Sequence, residues 1–254
     1  MTGLAQTGTD AAGLVLTIDL GALARNWALL AERSRTAECS AVVKADAYGI
    51  GIEQAVPALL AAGCRTFFVA IPEEGVRARH AAPAATIYIL NGFASSWAEA
   101  CLSSALRPVL SSFGQIEAWA HLAPGKPSAV QVDTGMNRLG LSLHEALELA
   151  RRPDLLKAAS PRLIMSHFSC ADEPGHPMNA SQVALFREVR KEFPGLSASL
   201  ANSAGIHLGA EALFDVVRPG IALYGAEFVK QTPPLETVVT AKARIMQVHE
   251  GAKG

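Results

Sequence analysis

One lysine closes a short apolar run, in Ala41-Val42-Val43-Lys44-Ala45-Asp46-Ala47-Tyr48-Gly49-Ile50-Gly51. Ser40 to Val43 read as a buried strand, and the Asp/Gly cluster behind them as a polar glycine turn that leads into a helix at Ile52. Lys44 then stands at a strand's C-terminal end, which in a parallel α/β protein is where ligands bind and chemistry is done. A partly desolvated amine there loses its proton cheaply enough to form a Schiff base with an aldehyde. A strand-end lysine taken alone ordinarily snorkels into water, so the reading turns on the other strand ends.

Four of those also carry polar groups. Asp133-Thr134-Gly135-Met136-Asn137-Arg138-Leu139-Gly140 delivers Arg138, either a loop residue facing solvent or a fixed cation for a phenolate or carboxylate. Met165-Ser166-His167-Phe168-Ser169 puts His167 just past a buried run, as a hydrogen-bonded rim residue or as an acid/base. Ala201-Asn202-Ser203-Ala204-Gly205 reads as small residues and a hydroxyl opening a helix, whose N–H groups would seat a phosphate. Val217-Arg218-Pro219-Gly220-Ile221-Ala222-Leu223-Tyr224-Gly225 follows the last strand, and in (β/α)8 barrels phosphate sites are built from the loops after strands seven and eight. An amine and a phosphate seat at one mouth suit pyridoxal 5'-phosphate, whose aldehyde needs a lysine and whose ester needs N–H donors.

The elements that position these groups alternate. Candidate strands are Cys39 to Val43, Thr66 to Ala70, Thr86 to Leu90, Arg107 to Leu110, Ser128 to Asp133, Arg162 to His167, Ser197 to Ala201 and Asp215 to Val217. Amphipathic stretches such as Glu53 to Ala62, Ser142 to Arg151 and Asn179 to Phe193 lie between them, closed by Gly63, Pro153 and Pro194. Eight βα units predict an α/β fold, a (β/α)8 TIM barrel. Leu14 to Leu20 and Thr237 to His249 alternate like strands outside that count. The expected division is a frayed extension over 1–13, a barrel over 14–232 and the first strand of a truncated β domain over 233–254. In it, the strand at 14–20 would pair with the C-terminal domain, and the strand after Thr237, with no sequential neighbour to pair with, would be an exposed edge, which points to a chain cut at the start of a second, β-rich domain.

Fifty per cent hydrophobic and 18% charged residues over 254 positions predict a folded α/β protein with a substantial core. A net charge of -1 offers nothing to a phosphate backbone or an acidic membrane, so no nucleic-acid or membrane partner is expected. The four cysteines Cys39, Cys64, Cys101 and Cys170 are too scattered for a disulfide framework or a metal pair, which points to the cytoplasm. No signal peptide or apolar run of about 18 residues is read.

In these five motifs, in this order, the chain resembles the alanine racemases, fold-type III pyridoxal-phosphate enzymes, over nearly the whole of Leu14 to His249. The resemblance implies interconversion of L- and D-alanine for peptidoglycan synthesis by a homodimer. It makes Lys44 the Schiff-base lysine and one of two acid/bases. Tyr48, Ser203 and the N–H groups of Gly220 and Ile221 would hold the phosphate, with Asn202 also at the cofactor. Arg218 would face the pyridine nitrogen, Arg138 the ring hydroxyl and the substrate carboxylate, and His167 would back the ring and the arginine. Where the family commonly has a lysine, often carbamylated, two positions before Asp-Thr-Gly, this chain has Gln131, so Arg138 would depend on another anion such as chloride. Ile50 stands where the family commonly has histidine.

The family's second acid/base, a tyrosine of the C-terminal β domain, has no counterpart among Tyr48, Tyr88 and Tyr224, so the chain alone is expected to bind cofactor but to racemise weakly or not at all. A serine or broad-specificity racemase and a non-catalytic pyridoxal-phosphate barrel are the rival readings.

Overall fold

Residues 13–227 and 233–251 are described by the structure, a computed structural model. The expected extension up to residue 12, the expected end of the barrel at 228–232 and residues 252–254 lie outside them.

Each apolar run becomes a short strand whose successor lies parallel beside it. In chain order these are β2 (Glu38–Cys39) and β3 (Ala41–Val42), then β4 (Thr66–Val69), β5 (Thr86–Ile89) and β6 (Arg107–Leu110). β7 (Ser128–Gln131), β8 (Pro161–Met165), β9 (Ser197–Ser199) and β10 (Val216–Val217) complete the series. β3 to β9 form one parallel sheet in sequence order, and β10 pairs with β2 through Val216↔Glu38 and Val217↔Cys39. Between β9 and β10 run Asp215 N–H to Ala198 O at 3.0 Å and Arg218 N–H to Ala201 O at 2.9 Å, which closes the sheet into the expected barrel. The strand expected as one piece from Cys39 to Val43 is broken at Ser40, whose N–H and hydroxyl both donate to Val217 O, at 3.1 and 2.6 Å.

Two apolar layers follow from strand alternation. Inward-facing Val42, Phe68, Tyr88, Val109, Leu163 and Met165 fill the barrel, with Phe68 and Tyr88 stacked at 5.0 Å. Outward-facing residues such as Phe67, Ile87 and Ile164 meet the helices, and each large side chain so buried contributes roughly 1.5–3 kcal/mol.

The helices begin where their sequences cap them. Asp19 accepts from Ala22 N–H at 2.8 Å to start α1 (Leu20–Arg33), and α2 (Ile52–Ala62) stops at Gly63, whose φ of +120° places it outside the helical region. α3 (Pro72–Ala81), α4 (Ala98–Ser103) and α5 (Phe113–Leu122) follow β4, β5 and β6. The expected helix from Ser142 to Arg151 is α6 (Leu143–Ala150), bounded by those two residues as caps and opened by a Ser142/Glu145 capping box. Pro153, expected only as a stop, also opens α7 (Pro153–Ala159), because proline suits a first helical position. α8 (Pro177–Lys191) starts and ends two residues before its expected span.

Outside the barrel, β1 (Leu14–Ile18) pairs antiparallel with β11 (Val239–Ala243), from Leu14↔Ala243 to Ile18↔Val239. The strand expected over Thr237 to His249 is therefore shorter, and its edge is covered by β1. Leu14, Leu16, Met246 and Val248 remain exposed around this ribbon.

Candidate active site

All nine residues singled out at strand ends line one cavity of about 460 Å³ at the C-terminal mouth of the barrel: Lys44, Tyr48, Arg138, His167, Asn202, Ser203, Arg218, Gly220 and Ile221. Leu90, Asn91, Gln131, Leu139, Met165 and Asp172 also line it.

Lys44 and Tyr48 flank a turn that differs from the glycine loop expected. Ala45, Asp46, Ala47 and Tyr48 all have φ of +53 to +55°, making one left-handed helical turn that ends at Gly49. Such geometry costs an L-residue about 1–2 kcal/mol because Cβ crowds the next carbonyl. Hydrogen bonds offset that cost. Ala47 N–H reaches Val43 O and Gly49 N–H reaches Ala45 O, each at 2.9 Å. Asp46 Oδ1 accepts from Ile52 N–H at 3.0 Å and from Arg77 at 2.7 Å. Asp46 N–H donates to Glu74 at 3.1 Å.

Arg138 rides on a loop organised by one carboxylate. Asp133 Oδ1 accepts from the N–H groups of Gly135, Met136 and Asn137 at 2.8, 2.9 and 3.1 Å. Gly140, with φ of +122°, lets the chain return so closely that a Cβ would sit 2.7 Å from Asp133 N. The Gln131 amide, expected to leave Arg138 in need of an anion, donates to Leu139 O at 3.0 Å and so ties the peptide that follows the arginine.

Arg218 is buried, 3% exposed, with its guanidinium spent on the barrel wall. It donates to Ser166 O at 2.5 Å, to Leu200 O at 3.4 Å and to the Ser199 hydroxyl, and it meets His167 Nδ1 at 3.3 Å. Burial lowers its pKa to about 9, which leaves it charged at neutral pH. Burial, then the charges of Arg218, Arg138 and Lys44, hold the His167 pKa down to about 3. His167 is thus a neutral partner of the arginine rather than a proton donor. The unfolded chain binds its proton near 6.5 and the folded chain only near 3, so acidification through that window favours unfolding. Denaturant midpoints measured from pH 7 to pH 4 should fall, and less steeply in His167→Asn.

Beside Arg218, where Asn202 bridges to it, the Ser203 hydroxyl accepts from Gly220 N–H at 2.9 Å and Ala222 N–H at 3.2 Å. No α-helix opens at Ser203, contrary to expectation. A single 3-10 turn, Gly205–His207, follows, because Asn202 Oδ1 takes Gly205 N–H at 2.9 Å and folds the chain back. The helical N-terminus at this wall belongs instead to the turn Ile221–Tyr224. Gly220 is required by Tyr48, whose hydroxyl occupies the place a Cβ would take. Gly220→Ala should push Tyr48 aside and weaken pyridoxal phosphate binding by about tenfold in an absorbance titration, the size of about one lost hydrogen bond.

Tyr224 meets Tyr48 with ring centroids 4.6 Å apart and planes tilted by 34°, it donates to Val42 O at 3.3 Å, and burial raises its pKa. Tyr88 lies inside the barrel, 3.3 Å from Arg107. Scaffold residues escaped the sequence reading altogether. Glu74 follows Glu73 in a helix's first turn, and nothing in that pair tells the buried acid from its neighbour. Gln182, fully buried on α8, fixes the loop after β8 by accepting from Ser169 N–H at 3.0 Å and donating to His167 O at 2.8 Å. A polar residue on an apolar helical face was the available signal.

The donor set fits pyridoxal phosphate. Three cations, Lys44, Arg138 and Arg218, outnumber the one acid, Asp172, and the glycine-floored seat of Tyr48, Ser203 and Ile221 suits a phosphate.

Comparison with known proteins agrees. Residues 18–228 match the family model for the alanine racemase N-terminal domain. An alanine racemase of Methylobacterium nodulans is 50% identical over 253 residues, covering 98% of this chain and 68% of that protein. One of Rhizobium meliloti is 50% identical over 243 residues, covering 94% and 64%. Among solved structures, the alanine racemase of Bartonella henselae with covalently bound pyridoxal phosphate superposes with a TM-score of 0.88 at 41% identity, over 93% of this chain and 70% of that one. The chain thus spans about two thirds of the length of these relatives. By its motifs, its barrel and its relatives, this chain belongs to the alanine racemase family.

Proposed function

We propose that this chain is the cofactor-binding part of a pyridoxal-phosphate-dependent alanine racemase, with Lys44 as its covalent lysine. The observation that carries the reading is the convergence of Lys44, Arg138, Arg218 and the Tyr48/Ser203/Ile221 seat on one cavity. When bound, pyridoxal phosphate acidifies the α-hydrogen of an amino acid joined to it.

The chain's own residues bind, orient and move protons. Tyr48, the Ser203 hydroxyl and the Ile221 N–H would hold the phosphate, with Asn202 shaping the loop; the Gly220 N–H, expected at the phosphate, donates instead to Ser203 Oγ and fixes that hydroxyl. Arg218 would face the ring nitrogen, where its buried positive charge would oppose protonation. His167 stays neutral behind it and keeps the guanidinium in place. Arg138 takes the ring hydroxyl and the substrate carboxylate. Lys44 Nζ takes or returns the proton at the substrate α-carbon from its own side of the mouth.

Inversion needs a second acid/base on the opposite face. Among the described residues Tyr224 and Tyr88 are engaged elsewhere and Tyr48 belongs to the phosphate seat. By the family resemblance the second group is a tyrosine in the part of the relatives that this chain does not span, acting in a homodimer of the whole protein. The free thiols Cys39, Cys64, Cys101 and Cys170 suit the cytoplasm, where D-alanine for the cell wall would be made.

The test incubates the cofactor-loaded chain with L- or D-alanine in deuterated water. Lys44 acting alone predicts α-deuteration of one enantiomer without inversion. Exchange of both enantiomers at equal rates, or of neither, counts against this assignment.

A further inference from the structure

We infer that Glu74, which lies outside the cavity, is a positioning residue that holds the left-handed Lys44–Tyr48 turn in register with the barrel. The inference rests on the reading of Lys44 as the cofactor lysine. Glu74 sits in the first turn of α3 with 8% of its surface exposed. Its two oxygens go separate ways. Oε2 accepts from Ala70 N–H at 2.8 Å, at the start of its own helix, and Oε1 accepts from Asp46 N–H at 3.1 Å, in the middle of the strained turn. From the other side, Asp46 Oδ1 takes Ile52 N–H and Arg77, and Arg77 is held in turn by Glu53 at 2.6 Å.

Four successive L-residues leave the left-handed region unless neighbours hold them there. Lys44 and Tyr48 stand at the two ends of this turn and both face the cavity, so its relaxation would separate the amine from the phosphate-side hydroxyl. Only a carboxylate can accept from both N–H groups. A glutamine of the same size would offer one acceptor and turn an NH2 group toward the other N–H.

The experiment compares the full chain with Glu74→Gln and with Asp46→Ala, a substitution at a half-exposed site that removes the opposite brace. Hydrogen exchange is measured first, without cofactor. A peptide spanning residues 43–51 should exchange at least tenfold faster in Glu74→Gln, while peptides from β7 and β8 keep their rates. Affinity for pyridoxal phosphate, titrated on protein that retains its far-ultraviolet circular dichroism, should fall at least tenfold in Glu74→Gln and severalfold in Asp46→Ala. Faster exchange confined to α3 would make Glu74 a helix cap only and overturn the inference. So would turn exchange and affinity within twofold of the parent. Should Glu74→Gln fail to fold, Glu74→Asp, one methylene too short to reach both N–H groups, decides by the same two readings. If the parent chain takes up no pyridoxal phosphate on Lys44, the cofactor reading falls while turn exchange still decides the clamp.

Discussion

Lys44→Ala is expected to lose both covalent uptake of pyridoxal phosphate and α-proton exchange, the latter by about 10²–10⁴-fold from lost proton transfer alone. Among the described residues no second amine lines the cavity. The other cations of the cavity are Arg138 and Arg218, and a guanidinium neither gives up its proton near neutral pH nor acts as an amine nucleophile. Lys44→Arg should therefore fail as completely as the alanine variant, although it keeps the charge. Non-covalent retention of the phosphate group is expected in both, since Ser203, Gly220 and Ile221 are untouched. Exchange surviving in Lys44→Ala within tenfold of the parent would show that another group moves the proton.

Arg218→Leu is expected to lower stability by about 3 kcal/mol, the scale of stranding the carbonyls and hydroxyl that met a buried charge. In a chain of this size that is a fall in Tm of roughly 6–12 °C by differential scanning calorimetry. Ser166 O, Leu200 O and the Ser199 hydroxyl lose their donor together, and leucine cannot reach them through a polar group. Arg218→Lys restores one charge but not the fork, so it should recover part of the stability and little of the positioning of His167. An unchanged Tm in Arg218→Leu would mean that the wall does not depend on the guanidinium.

The strand ends were legible because each apolar run is short and closed by polar residues or glycine, so placement at the barrel mouth followed from topology. That is why nine residues read from five separate motifs line one cavity. The turn at Ala45 to Tyr48 was not legible. Alanine and tyrosine there disfavour positive φ and a single aspartate, which tolerates it, does not predict four such residues in a row; the conformation comes from Glu74 and Arg77, which are 26 or more positions away in the chain. The Ser203 segment resembles a helix start in sequence for a related reason. Its small residues permit one, but Asn202 capping Gly205 and the Ser203 hydroxyl meeting Gly220 are decided by tertiary contact. Gln131 shows in sequence only what it lacks, a negative charge. Its hydrogen bond to Leu139 O depends on how the Asp133 loop returns, which the spacing of the motif does not encode.

The most direct test of the account maps the cofactor onto the chain. The protein is soaked in pyridoxal phosphate, reduced with borohydride, digested and weighed by mass spectrometry. The added pyridoxyl-phosphate mass is expected on the peptide that contains Lys44 and on no other. That mass on a peptide from Lys126, Lys157 or Lys191, or on none, would contradict it.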